Sequence, residues 1–440
     1  TQAIIAELKV DRVVLAMPSI SRPKQARLAR HLEAVGCEVS TLPSFASLIG
    51  EGELMDRIQP ANPSTYLGRV GLDKELEGGC GIYRDGCIMI TGAGGSIGSE
   101  LCRQVLQCRP SKLVLFEVSE HALYQIDREL ADAIGDMDCE IVPVLGSVTD
   151  EAHVLRTMKN YNVDTVLHAA AYKHVTMVEK NRLSGLNNNV IGTRKTALAA
   201  REAGVRNFIL VSTDKAVHPE NVMGASKRMA ELLVQDVATR STTTRFGIVR
   251  FGNVLGSSGS VVPLFEEQIA RGGPITLSHN EVTRYFMTLS EAARLVLLVG
   301  SQAHQQDEQG EVYVLDMGAP VPIKHLARQM IETAGYTVCD TENPDGDIEI
   351  TITGLRPGEK LHEELAMRGH SVSATAHAKI MRVEETSLSE LEMAAAIRAL
   401  SDAIEAGDGD AAVTVLQRWV GSSKALKHRL DAEDRSELLS

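Results

Sequence analysis

The chain contains 440 residues, of which 44% are hydrophobic and 23% charged, and this length predicts two or three domains rather than one core. Its formal net charge of −13 disfavours a nucleic-acid-binding surface, which needs a basic face, but leaves room for a phosphate ligand held by local Arg and Lys side chains. No apolar run approaches the roughly 18–20 residues of a membrane span, and no signal peptide is visible.

Residues 1–68 are predicted to form a small α/β domain. Buried strands are expected at 12–16 and 38–42, with a helix at 21–35 between them. Nothing in this domain carries obvious chemistry, so a packing role is favoured over a ligand site. The glycine-rich residues 69–85 predict a linker. Because the chain starts at Thr1 and not at Met, we expect it to be part of a longer protein.

Strand and helix patterns alternate from residue 86 to residue 251, the predicted Rossmann domain. Strands are expected at 87–91, 113–117, 140–145, 164–169, 207–212 and 246–251. This alternation predicts an α/β fold with a mostly parallel, doubly wound sheet. Ligands bind such sheets beyond the carboxyl ends of the strands, so the residues that follow each strand are the candidates for chemistry.

The first of these strands leads into a turn with glycines at 92, 95 and 98. Their spacing resembles that of the short-chain dehydrogenase/reductase superfamily. Glycines let the backbone approach a dinucleotide pyrophosphate, and the helix that follows offers free amides. A purely structural turn also favours glycine, so the motif alone leaves both interpretations open. The candidate cofactor contacts here are Gly92, Gly95, Ser96, Ile97 and Gly98.

Glu117 ends the next strand, 19 residues after Gly98. A carboxylate at this position can hold a ribose hydroxyl and would repel a 2′-phosphate, which favours NAD over NADP.

Small residues follow the third and fourth strands. Ser147 and Val148 are expected to border the adenine, and three alanines after the fourth strand let a cofactor lie against the backbone. Two residues beyond the alanines, Lys173 and His174, are candidates for a sugar contact. A lone His is more often structural, so His174 is only a weak candidate. The alanines are Ala169, Ala170 and Ala171.

The most informative segment is 212–228, a strand end, a loop and a helix start. Met223 and Lys227 share one helix face, where superfamily members carry a proton-transferring Tyr and a Lys. A thioether cannot exchange a proton, so either the site is inactive or another group moves the protons. Thr213, Asp214 and Lys215 favour the second interpretation, because an acid beside an amine can protonate a leaving hydroxyl and deprotonate carbon next to a ketone.

Residues 252–385 predict a smaller substrate-binding lobe with some return to the core, and 386–440 a helical segment. We expect the helix to start at a capping box, 387–390, and to pack through an apolar stripe. The stripe comprises Leu388, Leu391, Ala394, Ile397, Leu400 and Ile404. The seven cysteines lack metal-ligand spacing, so we expect reduced cysteines of a cytosolic protein and no metal site.

These motifs resemble the nucleotide-sugar 4,6-dehydratases of bacterial polysaccharide and protein-glycan biosynthesis. The chain is most similar to the large, membrane-anchored UDP-N-acetylglucosamine 4,6-dehydratases, in which Met replaces the usual Tyr. The resemblance covers about residues 86–385 and is weaker before them, with a departure at 63–67. The matching segments are 91–100, 116–124, 168–174, 189–193, 212–228, 250–256 and 356–360.

The resemblance implies an internal redox dehydration with tightly bound NAD. Hydride leaves sugar carbon 4, the carbon 5 proton and the carbon 6 hydroxyl are lost, and the hydride returns to carbon 6. By the family pattern Asp214 is the acid at carbon 6 and Lys215 the base at carbon 5. Thr213 binds the carbon 4 hydroxyl and relays its proton, and Lys227 holds the nicotinamide ribose.

The resemblance also implies contacts with a UDP-sugar, through Asn253 at the diphosphate and Arg284 and Arg356 at phosphate or uridine. Either arginine could equally form a salt bridge. Glu359, in the 356–360 motif, is a further substrate-binding candidate. A homo-oligomer is expected by analogy, and a parent protein at the cytoplasmic face of the inner membrane, anchored through a segment outside this chain. A 4-epimerase, a dehydratase that inverts carbon 5, and an inactive nucleotide-sugar or NAD sensor remain as alternatives.

Overall fold

The computed structural model describes residues 10–16, 29, 32, 36–41, 59–60, 79–305, 309–365 and 371–420. The chain divides into two compact units. The first comprises 1–71, 259–282 and 321–354, and the second comprises 72–258, 283–320 and 355–440. The stretch 252–385 is thus shared between the two units.

The regular elements alternate along most of the chain. The strands are β1 (Arg12–Leu15), β2 (Glu38–Thr41), β3 (Gln59–Pro60), β4 (Cys87–Thr91), β5 (Lys112–Glu117), β6 (Glu140–Leu145), β7 (Thr165–His168), β8 (Asn207–Val211), β9 (Arg245–Arg250), β10 (Asn253–Val254), β11 (Ile275–Leu277), β12 (Thr283–Arg284), β13 (Phe286–Met287), β14 (Glu311–Leu315), β15 (Val321–Pro322), β16 (Val338–Cys339), β17 (Ile348–Ile352), β18 (Val372–Ala374) and β19 (Ile380–Val383). The α-helices are α1 (Ser96–Gln107), α2 (Glu120–Ala133), α3 (Glu151–Tyr161), α4 (Val175–Lys180), α5 (Arg182–Leu186), α6 (Thr193–Ala203), α7 (Val222–Thr239), α8 (Val261–Ala270), α9 (Leu289–Gln305), α10 (Ile323–Thr333), α11 (Glu390–Glu405) and α12 (Gly409–Val420).

The first unit contains two three-stranded sheets. In one, β1 runs parallel to β2, and β3 is antiparallel to β2. In the other, β17 lies between β11 and β16 and is parallel to both. The strands predicted at 12–16 and 38–42 are confirmed. Of the helix predicted at 21–35, only Ala29 and Leu32 are described, and both are helical and buried.

The remaining residues of that helix, the departure at 63–67, the linker up to residue 78 and the end of the helical segment, 421–440, lie outside the described residues.

The second unit is built on a nine-stranded sheet in the order β18-β19-β14-β9-β8-β7-β4-β5-β6. Every neighbouring pair from β14 to β6 is parallel, and at the edge β19 is antiparallel to both of its neighbours, β14 and β18. Chain order reverses between β4 and β7, which opens a crevice beyond the carboxyl ends of these strands. The predicted doubly wound α/β fold is therefore confirmed, with strand ends within one residue of those predicted.

Helices cover both faces of this sheet. One apolar core contains residues of α3, α6, α7, α11 and α12, and the other contains residues of α1, α2 and α9. The central strands are fully buried, as expected for parallel strands with helices on both sides. None of the helices within the described ranges is both long and apolar enough to cross a bilayer.

The predicted linker is packed where it is described. Residues Cys80–Ile82 form a 3₁₀ turn, and the buried Tyr83 hydroxyl donates to the Leu297 carbonyl at 2.8 Å. Cys80 forms a disulfide with Cys108, and their Cα atoms are 5.1 Å apart. The expectation that the cysteines are all reduced is therefore wrong, because the fold brings together two cysteines that are 28 residues apart.

The capping box of α11 lies two residues beyond the predicted one. Ser389 caps the helix and Glu392 completes the box. The buried face consequently uses Met393 and Ala396 together with Ile397 and Leu400, whereas Leu391 is 84% exposed. The predicted stripe is thus only partly right, because it included the exposed Leu391 and omitted the buried Met393 and Ala396.

Candidate active site

The glycine-rich turn between β4 and α1 has no room for side chains. Gly92 has φ +67°, and a Cβ on it would lie 2.8 Å from the Ala170 Cα. A Cβ on Gly98 would lie 1.9 Å from the Gly92 carbonyl oxygen. Helix α1 starts at Ser96, and no side chain caps it at Gly95, so Ser96, Ile97 and Gly98 form its uncapped first turn. A bare backbone at a helix N-terminus fits a dinucleotide pyrophosphate.

The carboxylate of Glu117 lies at the end of β5 and is buried. Its two oxygens accept hydrogen bonds from the backbone N–H groups of Gly94 at 3.0 Å, Val118 at 2.9 Å and Ser119 at 3.0 Å. In this arrangement Glu117 holds the glycine-rich turn in place, and its contact with a ribose hydroxyl stays a prediction.

The small residues predicted at the cofactor border follow β6 and β7. The Ser147 hydroxyl pairs with the Thr149 hydroxyl at 2.8 Å, and Val148 is buried. Ala169, Ala170 and Ala171 are half-buried beside the glycine-rich turn, while Lys173 and His174 are exposed at the start of α4. These residues therefore line the carboxyl ends of neighbouring strands.

Asn189 is a residue that sequence reasoning did not assign. It lies in a π-helical turn, Asn187–Gly192, and its side chain pairs with both backbone groups of Tyr172. It also donates to the Ser226 hydroxyl on α7 at 3.0 Å. Asn189 therefore ties the loop after β7 to the helix that carries Met223 and Lys227. Its presence in the motif 189–193 was the available signal.

Thr213, Asp214 and Lys215 meet directly after β8. The Thr213 hydroxyl donates to Asp214 Oδ1 at 2.9 Å, and Lys215 Nζ donates to the same oxygen at 3.0 Å. Asp214 is completely buried, and its Oδ2 has no hydrogen-bond partner. A Cβ on Gly252 would lie 3.1 Å from that oxygen, so glycine leaves space for the carboxylate.

Met223 and Lys227 lie one turn apart at the start of α7, and both are buried. Lys227 Nζ donates to the Val211 carbonyl at 2.8 Å, at the end of β8. Burial lowers the pKa of Lys227 to about 8, although Glu231 acts in the opposite direction. The lysine is thus fixed beside the strand end that carries the Thr-Asp-Lys sequence.

The segment 356–364 packs against the loop between β8 and α7. Lys360 Nζ donates to the Val217 carbonyl at 2.6 Å, and Asn221 Nδ2 donates to the Gly358 carbonyl at 2.9 Å. A Cβ on Gly358 would lie 2.9 Å from the Asn221 Cβ. The motif at 356–360 therefore fixes the loop between β8 and α7.

The candidate substrate residues divide into two groups. Asn253 Oδ1 accepts from Lys215 Nζ at 3.2 Å, and buried Arg284 lies 3.4 Å from Glu359 and donates to the Leu361 carbonyl. Arg356 is exposed, and its backbone N–H donates to Glu359. Arg284 therefore holds the segment 356–364, whereas Arg356 lies on its outer side.

Glu363 was missed by the sequence analysis. Its carboxylate lies 3.6 Å from Lys215 Nζ and 3.8 Å from Arg284 Nε, and its side chain is only 3% exposed. Its Oε2 has no hydrogen-bond partner. The only available signal was its place three residues after Lys360, in a segment with a recognised motif.

A second buried ionic group lies beside α7 and was also missed. Arg250 bonds both Glu231 and Glu385, and Arg228 lies 3.1 Å from Glu231 and 2.8 Å from Glu385. The Ser212 hydroxyl donates to Glu231 at 2.6 Å. This network joins the ends of β8 and β9 to α7 and to the chain after β19.

Residues 88–385 match the sequence profile of the family described as "Polysaccharide biosynthesis protein". The capsular polysaccharide biosynthesis protein CapD of Staphylococcus aureus is 39% identical over 380 residues, which are 86% of this chain and 61% of CapD. The chain thus spans about three fifths of the length of that relative.

Two shorter relatives carry more specific names. The UDP-N-acetylglucosamine 4,6-dehydratase (inverting) of Campylobacter jejuni is 30% identical over 280 residues, 63% of this chain and 76% of that protein. The UDP-glucose 4-epimerase of Rickettsia massiliae is 32% identical over 288 residues, 64% of this chain and 78% of that protein.

Solved structures share the fold. Pen from Bacillus thuringiensis has a TM-score of 0.60 at 30% identity, covering 69% of this chain and 90% of Pen. The dTDP-glucose 4,6-dehydratase DesIV from Streptomyces venezuelae, solved with NAD and DAU bound, has a TM-score of 0.52 at 21% identity, covering 64% of this chain and 88% of DesIV.

Proposed function

The chain belongs to the polysaccharide biosynthesis protein family, and we propose that it is an NAD-dependent hydro-lyase, a UDP-N-acetylglucosamine 4,6-dehydratase. Support comes from the relative of that name at 30% identity and from the sequence motifs. The product is UDP-2-acetamido-2,6-dideoxy-4-keto-hexose, which serves bacterial glycan biosynthesis.

One observation carries the proposal. Asp214 Oδ1 accepts from both Thr213 and Lys215, while its buried Oδ2 has no hydrogen-bond partner. An acid with a free buried oxygen, next to an amine, is suited to general acid–base work on one small substrate. An epimerase needs no such pair, because it eliminates nothing.

NAD is the proposed cofactor, and when bound it would supply the hydride acceptor for sugar carbon 4 and the hydride donor for carbon 6. The uncapped first turn of α1 with its glycines receives the pyrophosphate, and Lys227 holds the nicotinamide ribose. Ser147 and Val148 border the adenine. The alanines after β7 let the cofactor lie against the backbone. Fold relatives solved with NAD support this assignment.

Protons move through the residues after β8. Thr213 binds the carbon 4 hydroxyl and relays the proton of that hydroxyl to Asp214. The Thr213 hydroxyl donates to Asp214 Oδ1 at 2.9 Å. Asp214 gives that proton to the departing carbon 6 hydroxyl, and Lys215 removes the proton from carbon 5. Met223 cannot exchange a proton, so this relay takes over the task of the usual Tyr.

Binding of the UDP-sugar is proposed for the residues around this loop. Asn253, Arg284, Arg356 and Glu359 serve the diphosphate and uridine end, and Lys173 and His174 the sugar. We further propose a homo-oligomer and a parent protein anchored at the cytoplasmic face of the inner membrane. Solved fold relatives with UDP-sugars support the substrate class.

The test is proton NMR of UDP-N-acetylglucosamine incubated with the protein in deuterated water. We expect a new carbon 6 methyl signal, deuterium at carbon 5 and no consumption of added NAD; the methyl splitting reports retention or inversion at carbon 5. Asp214→Asn and Lys215→Ala are expected to abolish turnover and leave bound NAD in place. Turnover that survives both changes would show this mechanism to be wrong.

A UDP-sugar 4-epimerase is the second candidate, favoured by the 32% identity to the Rickettsia protein of that name. The same experiment separates the two activities, because an epimerase yields the galacto isomer without a methyl signal. Bound NAD with neither product would indicate a sensor.

A further inference from the structure

Lys215 lies between two buried carboxylates, of which the proposed mechanism uses only one. Asp214 Oδ1 is 3.0 Å from Nζ, and Glu363 Oε1 is 3.6 Å from it. The side chains of Asp214 and Glu363 are 0% and 3% exposed, and each keeps an oxygen without a hydrogen-bond partner. A buried carboxylate oxygen without a partner costs stability, so its presence here calls for a function.

Glu363 is held in place from both sides of the loop. Lys360 anchors the segment to the Val217 carbonyl, and Arg284 donates to the Leu361 carbonyl at 3.2 Å. Arg284 also lies 3.8 Å from the Glu363 carboxylate. These contacts fix the backbone around Glu363, whose carboxylate lies between Lys215 and Arg284.

The charges around Lys215 create a difficulty for its use as a base. Burial lowers the pKa of Lys215, but Asp214 and Glu363 raise it more strongly, and Arg284 opposes them; the net direction is upward. Asn253, the other polar group at Nζ, is neutral. The amine is therefore almost always protonated near pH 7, and it must lose a proton before it can accept one.

Asp214 is not available to take that proton. In the proposed mechanism it receives the carbon 4 hydroxyl proton through Thr213 and delivers it to the leaving hydroxyl. The other carboxylate that faces Lys215 among the described residues is Glu363.

We propose that Glu363 is a positioning residue that holds the Lys215 ammonium group in the resting site and takes its proton when Lys215 must act as a base. The inference rests on the proposed function of Lys215. The protons balance over one cycle. Glu363 takes a proton from Lys215, Lys215 takes the carbon 5 proton, and that proton or its solvent equivalent returns to carbon 5. Glu363 then gives its proton back to Lys215.

The first experiment measures the protonation of Lys215 without any turnover. The pH dependence of reductive methylation at Lys215 is followed by mass spectrometry in the whole chain, for wild type, Glu363→Gln and Glu364→Gln. Glu364 is the matched control, because it is the neighbouring glutamate and pairs with the exposed His218. We expect a lower methylation midpoint in Glu363→Gln only. An unchanged midpoint would overturn the proposal.

The second experiment measures kcat against pH with UDP-N-acetylglucosamine. In Glu363→Gln we expect kcat near pH 7 to fall by about 10²-fold, because Lys215 must then lose its proton to water. The rate should recover by about tenfold per pH unit only up to the lowered Lys215 midpoint found in the first experiment. KM and bound NAD stay unchanged, and Glu363→Asp restores part of the rate. A loss equal at all pH values, or no loss, would contradict the proton transfer.

The two experiments separate the failures. If the wild type makes no methyl product, the proposed function fails, and the methylation midpoints still decide whether Glu363 acts on Lys215. If the wild type turns over and Glu363→Gln is as active near pH 7, only the inference about Glu363 fails.

Discussion

The second unit contains two buried ionic clusters that differ in how their carboxylates are matched by cations. The paired cluster comprises Arg228, Glu231, Arg250 and Glu385, and each of its carboxylates faces two guanidinium groups. The site cluster comprises Asp214, Lys215 and Glu363, where one ammonium group faces two carboxylates. Both carboxylates of the site cluster keep an oxygen without a hydrogen-bond partner.

This difference suits the paired cluster to stabilising the fold and the site cluster to proton transfer. Guanidinium groups cannot lose a proton in proteins, and their forked donors match carboxylates, so the paired cluster can only hold elements together. A lysine can change its protonation state, and a carboxylate with a free oxygen can accept a proton. We therefore expect changes to the site cluster to affect turnover and changes to the paired cluster to affect stability.

The largest effect is expected from Lys215→Arg. The charge stays, but a guanidinium cannot act as a base, so turnover should fall by about 10²–10⁴-fold, while the melting temperature stays close to that of wild type. Turnover by NMR and differential scanning fluorimetry check the two parts. Lys112→Arg, at the start of β5, is the control and should leave turnover unchanged. A Lys215→Arg variant within tenfold of wild type would break the comparison.

Arg250→Met should lower the free energy of unfolding by about 3–5 kcal/mol, because it leaves two buried carboxylates short of a partner. Thermal and urea unfolding measure this loss. Arg206→Met removes an ion pair with Asp164 whose arginine is 66% exposed, and should cost less than about 1 kcal/mol. Equal losses in the two variants would show that the paired cluster is not stabilising.

The smallest effect concerns pH and the buried His168, whose two ring nitrogens pair with Thr91 and Thr193. Burial and then Lys227 lower the pKa of His168 to about 3. The unfolded chain binds this proton below about pH 6.5 and the folded chain does not, so stability falls from pH 6.5 towards pH 3.

At pH 5.5 the loss should be about 1.4 kcal/mol, seen in melting temperatures measured against pH. His168→Gln should lack this part of the pH dependence, whereas exposed His121→Gln should keep it. A pH dependence that is unchanged in His168→Gln would contradict the assignment.

Much of the second unit could be predicted because its signals are local. Apolar runs ending in glycine or polar residues located the central strands to within a residue, and the turn at Gly92–Gly98 required glycine for steric reasons. Thr213, Asp214 and Lys215 are consecutive, so their place after β8 followed from the strand itself. The shifted cap of α11 shows the limit, since Ser387 and Ser389 both precede an acidic residue at the required spacing.

The remaining features depend on contacts between residues far apart in the chain. Glu363 reaches Lys215 across 148 residues, Glu385 reaches Arg250 across 135, and Cys80 reaches Cys108 across 28. Hydrophobic periodicity carries no information about contacts between residues so far apart in the chain.

The amino-acid sequence by itself determined the doubly wound sheet, the glycine-rich turn and the Thr-Asp-Lys sequence, because backbone sterics and hydrophobic periodicity act over a few residues. Only the tertiary structure decided which buried charges are paired and which are left partly unpaired. That outcome depends on how burial and hydrogen-bond geometry bring distant side chains together.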